Sequence, residues 1–335
     1  MKAARFVGDN KIQVIDVPIP SPGAHEVLVK VAFCGLCGSE RRILKAGFPG
    51  ITPGHEISGT VQACGDTPAP LEKGTPVLIY LSDFCGNCEA CATMNTSQCS
   101  AKKRLVGWHF DGGYAEYVLV PRHMVFPIGS LPLEHGVLAL DTVGTAFHGL
   151  RLGDIRPEHS VLVIGCGPIG LGCVSILHNH YHIQNLYAAD TSAYHLRLAG
   201  ELGATQQIAV DPSDTPGSIA AALHSFVDRV IEVVGVDGTL AASMKCVAPG
   251  GRIVLIGEPE KALTLQRSTD WVLKDFSLVN SWYFPVSEME ENLQYIREHA
   301  DEVGKLASHR FGIQDMEHAY ELFGQGLTGK VLIHP

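Results

Sequence analysis

The sequence predicts two domains of different class, a β-rich antiparallel domain and a doubly wound parallel α/β sheet inserted into it. Short strand-like runs separated by Gly and Pro turns fill the first part of the chain. From about residue 143 apolar strands alternate with helical stretches, and a last strand-like run ends the tail. We place the parts at 1–143, 144–281 and 282–335. The length of 335 residues and the hydrophobic fraction of 46% are sufficient for two buried cores.

The first part contains several short runs of β-forming residues. These runs are KIQVIDV, EVLVKVAF, GTVQAC, TPVLIY and YAEYVLV. Because turns rather than helices connect them, they favour an antiparallel, barrel-like domain over a parallel sheet.

The second part alternates strands and helices. The predicted strands are SVLVIG (160–165), NLYAAD (185–190), QQIAV (206–210), DRVIEVV (228–234), GRIVLIG (251–257) and FSLVNS (276–281). Helical spacing covers 168–180 and 194–202, and Gly203 ends the second helix. This pattern predicts a doubly wound parallel sheet. The tail adds a helix at 287–298 and the strand GKVLIHP, which is expected to return to the first domain.

Charge and hydropathy exclude several partner classes. The net charge is −10, and no basic cluster is large enough to follow a phosphate backbone, so nucleic acid is not expected as a partner. No stretch approaches the roughly 20 apolar residues of a membrane span, and the N-terminus lacks the apolar run of a signal peptide. We therefore expect a cytoplasmic protein that acts on a small molecule.

Four cysteines form the most specific local motif, C-x2-C-x2-C-x7-C, in a lobe at about 83–101. They are Cys85, Cys88, Cys91 and Cys99. Four thiolates in one short loop are typical of a closed tetrahedral zinc site. The alternative is a pair of disulfides in a secreted protein, but nothing in the sequence indicates secretion.

The run VLVIGCGPIG has the spacing of a dinucleotide-binding loop. It follows a predicted strand and opens a predicted helix, and an acid ends the next strand. In such a loop the glycines permit a tight turn, close approach of the pyrophosphate, and close packing of helix and strand. The predicted cofactor-binding residues are Gly165, Gly167, Pro168, Ile169, Gly170 and Asp190.

Asp190 bears on the choice of cofactor. A carboxylate here would accept hydrogen bonds from the adenosine ribose and repel a 2′-phosphate, which favours NAD over NADP. The alternative is that Asp190 only caps the following helix.

A second group of potential metal ligands is scattered along the chain. The candidates are Cys34 and Cys37 in CGLCGSE, His55 and Glu56 in ITPGHEISG, and Asp141 and His148 in ALDTVGTAFHG. A catalytic zinc needs three protein ligands and an open position. Spacing alone does not select among these residues.

The order of these motifs resembles the zinc-dependent medium-chain alcohol and polyol dehydrogenases, including the sorbitol and threonine dehydrogenases. The ordered set is C-G-S-E, G-H-E, the four-cysteine lobe, D-G-G-Y-A-E-Y, and G-x-G-x-x-G followed by an acid. The resemblance covers essentially the whole chain. It implies a GroES-like β-barrel catalytic domain interrupted by a Rossmann domain.

The resemblance also implies roles for individual residues. Cys37 and His55 correspond to the first two ligands of the catalytic zinc, and Glu56 to the acid that can transiently coordinate it. Asp141 falls where the family usually has a cysteine or glutamate as third ligand, and carboxylate oxygen is an accepted zinc ligand. Ser39 corresponds to the hydroxyl that contacts the substrate oxygen and starts a proton relay.

Two positions depart from the family pattern. Glu40 replaces an aspartate that orients His55 by a hydrogen bond, and the extra methylene changes that geometry. Arg42 replaces a histidine that relays protons in many relatives, and arginine cannot do so because it stays protonated. Arg42 could instead bind a cofactor phosphate or an anionic substrate group, or it could be a solvated surface charge.

The implied function is hydride transfer between a secondary alcohol, of polyol, sugar or cyclitol type, and NAD, with one catalytic and one structural zinc. A homodimer or homotetramer is expected from the resemblance. The alternatives are a primary or simple alcohol dehydrogenase, a zinc-independent enone or quinone reductase, and a non-enzymatic NAD-binding protein.

Overall fold

The computed structural model describes residues 1–101, 104–265 and 268–335. The chain forms two compact units. Unit 1 comprises Met1–Leu140, Phe284–Gln325 and Lys330–Pro335, and unit 2 comprises Asp141–Tyr283 and Gly326–Gly329. The first boundary thus falls three residues before the predicted one.

The strands, in chain order, are β1 (Lys2–Gly8), β2 (Lys11–Asp16), β3 (Glu26–Gly35), β4 (Glu56–Cys64), β5 (Pro76–Ile79), β6 (Ser82–Asp83), β7 (Arg104–Leu105), β8 (Tyr117–Pro121), β9 (Val125–Pro127), β10 (Ser160–Ile164), β11 (Asn185–Asp190), β12 (Gln206–Ala209), β13 (Val227–Glu232), β14 (Val247–Leu255), β15 (Ser277–Asn280), β16 (Ala307–Gly312) and β17 (Lys330–His334).

The α-helices are α1 (Arg41–Ala46), α2 (Glu89–Ala92), α3 (Leu133–Gly136), α4 (Ala146–Leu152), α5 (Pro168–Asn179), α6 (Ala193–Glu201), α7 (Thr215–Ala222), α8 (Asp237–Cys246), α9 (Thr269–Val272), α10 (Met289–Glu298), α11 (Ala300–Gly304) and α12 (Met316–Gly324). Short 3-10 turns and a π-helical segment, Asp141–Thr145, connect several of them.

Unit 1 is built on a mainly antiparallel sheet with the order β16-β17-β3-β4-β5-β9, and β8 pairs with the first half of β3. Only β16 and β17 pair in parallel among these strands. The tail strand β17 pairs with the end of β3 and so belongs to the sheet of unit 1. Among the described residues the pairing ends at β16 and β9, and closure into a barrel stays a prediction.

The pairing of β3 with β4 brings together two segments that carry predicted metal ligands. The last residue of β3, Gly35, lies opposite the first residue of β4, Glu56. Cys37 follows β3 by two residues and His55 directly precedes β4. The two sequence motifs are therefore neighbours because antiparallel strands place the end of one beside the start of the next.

Unit 2 is a parallel sheet with the order β12-β11-β10-β13-β14-β15. The order reverses direction at β10, as in a doubly wound sheet, and the predicted fold class is confirmed. Apolar side chains from the strands and from α7 and α8 form its core. Strand ends differ from the predictions by a few residues, most at β14, which begins at Val247 rather than Gly251.

A short piece of the tail, Gly326–Gly329, belongs to unit 2, although the sequence assigned the whole tail to the first domain. Ser192 donates its hydroxyl hydrogen bond to the carbonyl of Gly326 at 2.5 Å. His195 Nε2 lies 2.9 Å from the carbonyl of Thr328. Polar contacts with the start of α6 therefore hold this piece in unit 2.

Among the described residues, no helix is both long enough and apolar enough to cross a bilayer.

Arg229 in β13 closes the C-terminal end of α4. It is 9% exposed, and its guanidinium donates to the carbonyls of Gly153 at 2.7 Å and Asp154 at 3.1 Å. We expect Arg229→Met to keep the apolar stem but to leave these carbonyls without a donor, which lowers the free energy of unfolding by about 1–3 kcal/mol. Urea unfolding measures this. The matched control Arg197→Met removes an exposed arginine from α6 and should leave the midpoint unchanged, whereas equal losses in both variants would contradict the capping role.

Candidate metal and cofactor sites

The four cysteines of the predicted structural zinc site converge. Their Sγ atoms all lie within 4.8 Å of one another, and α2 together with the 3-10 turn Thr96–Gln98 folds the lobe. The separations are 3.9 Å for Cys85 and Cys91, 3.9 Å for Cys88 and Cys99, and 3.6 Å for Cys85 and Cys99. A disulfide needs about 2.05 Å, so the arrangement fits tetrahedral thiolate ligation and not two disulfides.

Backbone donors favour thiolates in this lobe. The N–H groups of Cys91 and Ser100 lower the pKa of the Cys88 thiol to about 5. The N–H of Asn87 lowers the pKa of Cys85, whereas burial raises that of Cys91 to about 12. Backbone donors thus favour the thiolate form of Cys85 and Cys88, which is the form that binds metal, whereas burial disfavours it at Cys91.

The second predicted ligand set is carried by tight turns of unit 1. Cys37 precedes the 3-10 turn Gly38–Glu40, which also holds Ser39. His55 follows Gly54, whose φ of +99° and contacts exclude a side chain: an added Cβ would lie 2.8 Å from the Tyr114 nitrogen. The predicted ligand atoms of Cys37, His55 and Glu56 lie together.

The DGGY segment supports the turn before His55. Gly112 donates to the carbonyl of Thr52 at 2.7 Å, and Gly113 donates to that of Gly54 at 2.8 Å. A Cβ on Gly112 would lie 2.0 Å from the Gly54 oxygen, so glycine is required at position 112 as well as at position 54. The motif D-G-G-Y therefore contributes to the site by holding the histidine turn and by directing Tyr114 inward.

Asp141 is the junction residue, one peptide bond after Leu140 of unit 1. Its side chain is buried. Its covalent link to Leu140 ties its backbone to unit 1. A thiolate, an imidazole and a carboxylate form a donor set that zinc accepts in catalytic sites.

Glu40 reaches His55 despite the extra methylene. Its Oε1 lies 2.8 Å from His55 Nδ1, with both side chains buried. This hydrogen bond assigns Nδ1 to the carboxylate and leaves Nε2 as the metal-binding nitrogen, as in carboxylate–histidine–zinc sites. The hydrogen bond expected for the family's aspartate is therefore also made by glutamate.

The sequence reasoning missed Lys330. It begins β17, is 2% exposed, and donates from Nζ to Glu56 Oε1 at 2.5 Å and to the Leu36 carbonyl at 3.3 Å. Opposite charges at this distance stabilise each other, so a buried ammonium favours the charged form of the carboxylate beside it. The signal was present in GKVLIHP, where a lysine opens an otherwise apolar strand.

Trp108 lies beside His55, and Arg42 lies over the Trp108 ring. The Trp108 ring centroid lies 6.1 Å from that of His55, and the Arg42 guanidinium lies 5.3 Å from the indole centroid. Trp108 thus lies beside one of the predicted metal ligands. His109 is exposed and accepts a hydrogen bond from the Leu105 N–H at 3.0 Å.

The glycine loop of unit 2 has the geometry that its sequence predicts. Gly165 has φ +90°, and a Cβ on Gly170 would lie 1.8 Å from the Gly165 oxygen. A Cβ added at Gly167 would have no atom within 4 Å. The helix α5 begins directly after this glycine, with Pro168 and Ile169 as its first two residues. The open backbone at Gly167 and the helix N-terminus suit a pyrophosphate.

Asp190 ends β11 beside this loop. It accepts hydrogen bonds from the N–H groups of Cys166 at 2.6 Å and Ser192 at 2.7 Å. His195, which the sequence reasoning missed, places Nδ1 3.3 Å from the Asp190 carboxylate. Burial opposes ionisation of Asp190, but His195 and the two amides outweigh it and keep its pKa below the ordinary value. The acid is therefore charged and fixed at the end of the strand.

Comparison with known proteins identifies the family. Residues 23–130 match the alcohol dehydrogenase GroES-like domain, and residues 168–298 match the zinc-binding dehydrogenase model. An L-threonine 3-dehydrogenase of Symbiobacterium thermophilum is 30% identical over 96% of this chain and 93% of its own.

Solved structures agree over the full length. A zinc-binding dehydrogenase from Sinorhizobium meliloti bound to NADP superposes with a TM-score of 0.87 at 30% identity, covering 100% of this chain and 99% of its own. Galactitol-1-phosphate dehydrogenase from Escherichia coli superposes with a TM-score of 0.88 at 27% identity over 100% of both chains. The chain therefore belongs to the zinc-dependent medium-chain alcohol and polyol dehydrogenase family.

Proposed function

We propose that this dehydrogenase transfers a hydride between a secondary alcohol, of polyol, sugar or cyclitol type, and NAD at a zinc site formed by Cys37, His55 and Asp141. The observation that carries the proposal is the convergence, within unit 1, of the ligand atoms of Cys37, His55 and Glu56 within 4.8 Å. Asp141, the next residue of the chain after unit 1, offers the third ligand that the resemblance implies. A zinc-independent reductase or a non-enzymatic NAD-binding protein would have no use for this buried donor set.

When bound, zinc supplies Lewis acidity and NAD accepts the hydride. The residues of this chain hold the metal ligands in place and orient the groups that contact the substrate. Glu40 fixes the His55 ring, and Lys330 holds Glu56 next to the ligands. Ser39 donates a hydrogen bond toward Cys37 Sγ at 3.2 Å, which places its hydroxyl at the edge of the ligand set. From there it can take the proton of a substrate hydroxyl as it passes its own proton outward to solvent.

The substrate class rests on relatives and on local charge. One relative is named for threonine, which has a secondary hydroxyl beside a charged group, and another for galactitol 1-phosphate, a phosphorylated polyol. In this chain Arg42 holds a guanidinium over Trp108, beside His55. A cation there suits an alcohol that carries an anionic group, such as a sugar phosphate or an amino-acid carboxylate.

The choice of NAD rests on Asp190. Its fixed negative charge favours ribose hydroxyls and disfavours a 2′-phosphate. The relative that binds NADP makes this choice worth testing directly. The expected dimer or tetramer and the cytoplasmic location stay predictions.

Metal content tests the zinc sites. We expect two zinc ions per wild-type chain and one in Asp141→Ala, since loss of a buried ligand opens the catalytic set. Cys91→Ser should also hold one zinc ion, at the catalytic site, because it removes a ligand of the four-cysteine site. Cys173→Ala, which alters a buried cysteine of unit 2, should retain two. Elemental analysis of protein purified without added metal measures this, and equal content in wild type and Asp141→Ala would contradict the assignment.

Turnover tests the role of Ser39. We expect Ser39→Ala to lower kcat about 100-fold, because the substrate hydroxyl loses its proton acceptor. Ser39→Thr keeps the hydroxyl and should retain most activity. Steady-state kinetics on the best substrate of a polyol, sugar-phosphate and amino-alcohol screen provide the readout. Zinc content must stay at the wild-type value in both variants, and unchanged kcat in the alanine variant would reject the relay.

Cofactor titration tests Asp190. We expect Asp190→Ala to raise the Kd of NADH about 10-fold or more, because hydrogen bonds from the ribose to a charged group are lost. The same change should tighten NADPH, since the repulsion of its 2′-phosphate is removed. Fluorescence titration measures both constants. Asp211→Ala, at an exposed aspartate after β12, is the control, and unchanged NADH binding in Asp190→Ala would leave only a helix-capping role.

A further inference from the structure

Two buried tyrosines complete the hydrogen bonding of Glu40. While Oε1 of this carboxylate faces His55, Oε2 accepts from Tyr114 Oη at 2.6 Å and from Tyr320 Oη at 2.8 Å. Tyr114, Tyr320 and Glu40 are at most 6% exposed. Neither tyrosine has a role assigned by the motifs that identify the family.

The direction of these hydrogen bonds follows from chemistry. An ionised carboxylate can only accept, so both hydroxyls donate to Glu40. Burial and the nearby charge of Glu40 raise the pKa of both tyrosines well above the ordinary value, which keeps the donated protons in place. Tyr114 Oη also lies 3.3 Å from the Gly35 carbonyl, but the 2.6 Å contact with Glu40 is much shorter.

The tyrosine rings are fixed by packing that does not depend on their hydroxyls. The Phe6 ring lies 6.1 Å from Tyr114 and 5.7 Å from Tyr320, centroid to centroid. Tyr114 comes from the DGGY segment and Tyr320 from α12, near the end of the chain. Replacing either by phenylalanine therefore removes a donor and retains the ring contacts.

We propose that Tyr114 and Tyr320 are positioning residues for the catalytic metal, acting through Glu40 on the orientation and tautomer of His55. This inference rests on the metal site proposed above. Two strong donors fix one carboxylate oxygen, so that the other is held against Nδ1 and the ring presents Nε2 to the metal. Without these donors the buried carboxylate would have to rotate or take up water, and the ring would lose its orientation.

The proposal also explains why a glutamate can stand in place of the family's aspartate. The longer side chain bridges from the histidine to the tyrosine pair within one carboxylate. An aspartate at this position is one methylene too short to keep all three partners. Glu40→Asp, which restores the usual family residue, should therefore weaken metal binding here.

The test measures metal retention rather than turnover. Zinc-loaded wild type, Tyr114→Phe, Tyr320→Phe, the double variant and Glu40→Asp are challenged with a chelator, and zinc release is followed with time. In parallel, Co²⁺ is exchanged into the catalytic site and its visible d–d absorption is recorded. The matched control is Tyr80→Phe, which removes the hydrogen bond of another fully buried tyrosine of unit 1, to the Phe284 carbonyl.

We expect the single tyrosine variants to release the catalytic zinc several-fold faster than wild type, and the double variant and Glu40→Asp about 10-fold faster or more, with altered Co²⁺ spectra. Tyr80→Phe should keep the wild-type rate and spectrum even if its thermal stability falls equally. Where the double variant does not fold, the single variants decide. Release and spectra equal to wild type, or equal to Tyr80→Phe, would overturn the proposal. A wild type that binds only the four-cysteine zinc would overturn both this inference and the proposed function.

Discussion

The hydrogen bonding of the buried Glu40 carboxylate is the interaction on which the proposed metal site depends. A buried charge is tolerated only when hydrogen bonds replace its water, and this one has three partners from different parts of the chain. His55 comes from the turn before β4, Tyr114 from the DGGY segment and Tyr320 from α12. Satisfying one carboxylate therefore fixes the relative positions of segments 280 residues apart.

The end of the chain supplies the second charged element of this site. Lys330 opens β17 and pairs with Glu56, beside the predicted metal ligands. Parallel pairing with β16 and antiparallel pairing with β3 hold the strand on both of its sides. The tail thus contributes a cation that balances one of the two buried glutamates, Glu56, and a tyrosine that donates to the other, Glu40.

Unit 2 also holds a largely buried carboxylate, that of Asp190, in place by hydrogen bonds. Asp190 ends a strand next to the glycine loop, and two backbone amides and His195 keep its carboxylate charged. His195 is in turn held by the Thr328 carbonyl, within the short tail segment that belongs to this unit. The residue proposed to distinguish NAD from NADP is thereby fixed by its own unit.

The sequence by itself determined the fold class, the six strands of unit 2 with the helices after the first two of them, the four-cysteine lobe and the glycine loop. These features depend on local spacing: metal-binding loops and tight turns are encoded within a few residues, and apolar periodicity marks strands and helices. Only the tertiary structure decided the partners of Glu40, the pairing of Lys330 with Glu56, and the contact of His195 with Asp190. Such contacts join side chains far apart in sequence, and no local pattern specifies which buried donor will meet which buried charge.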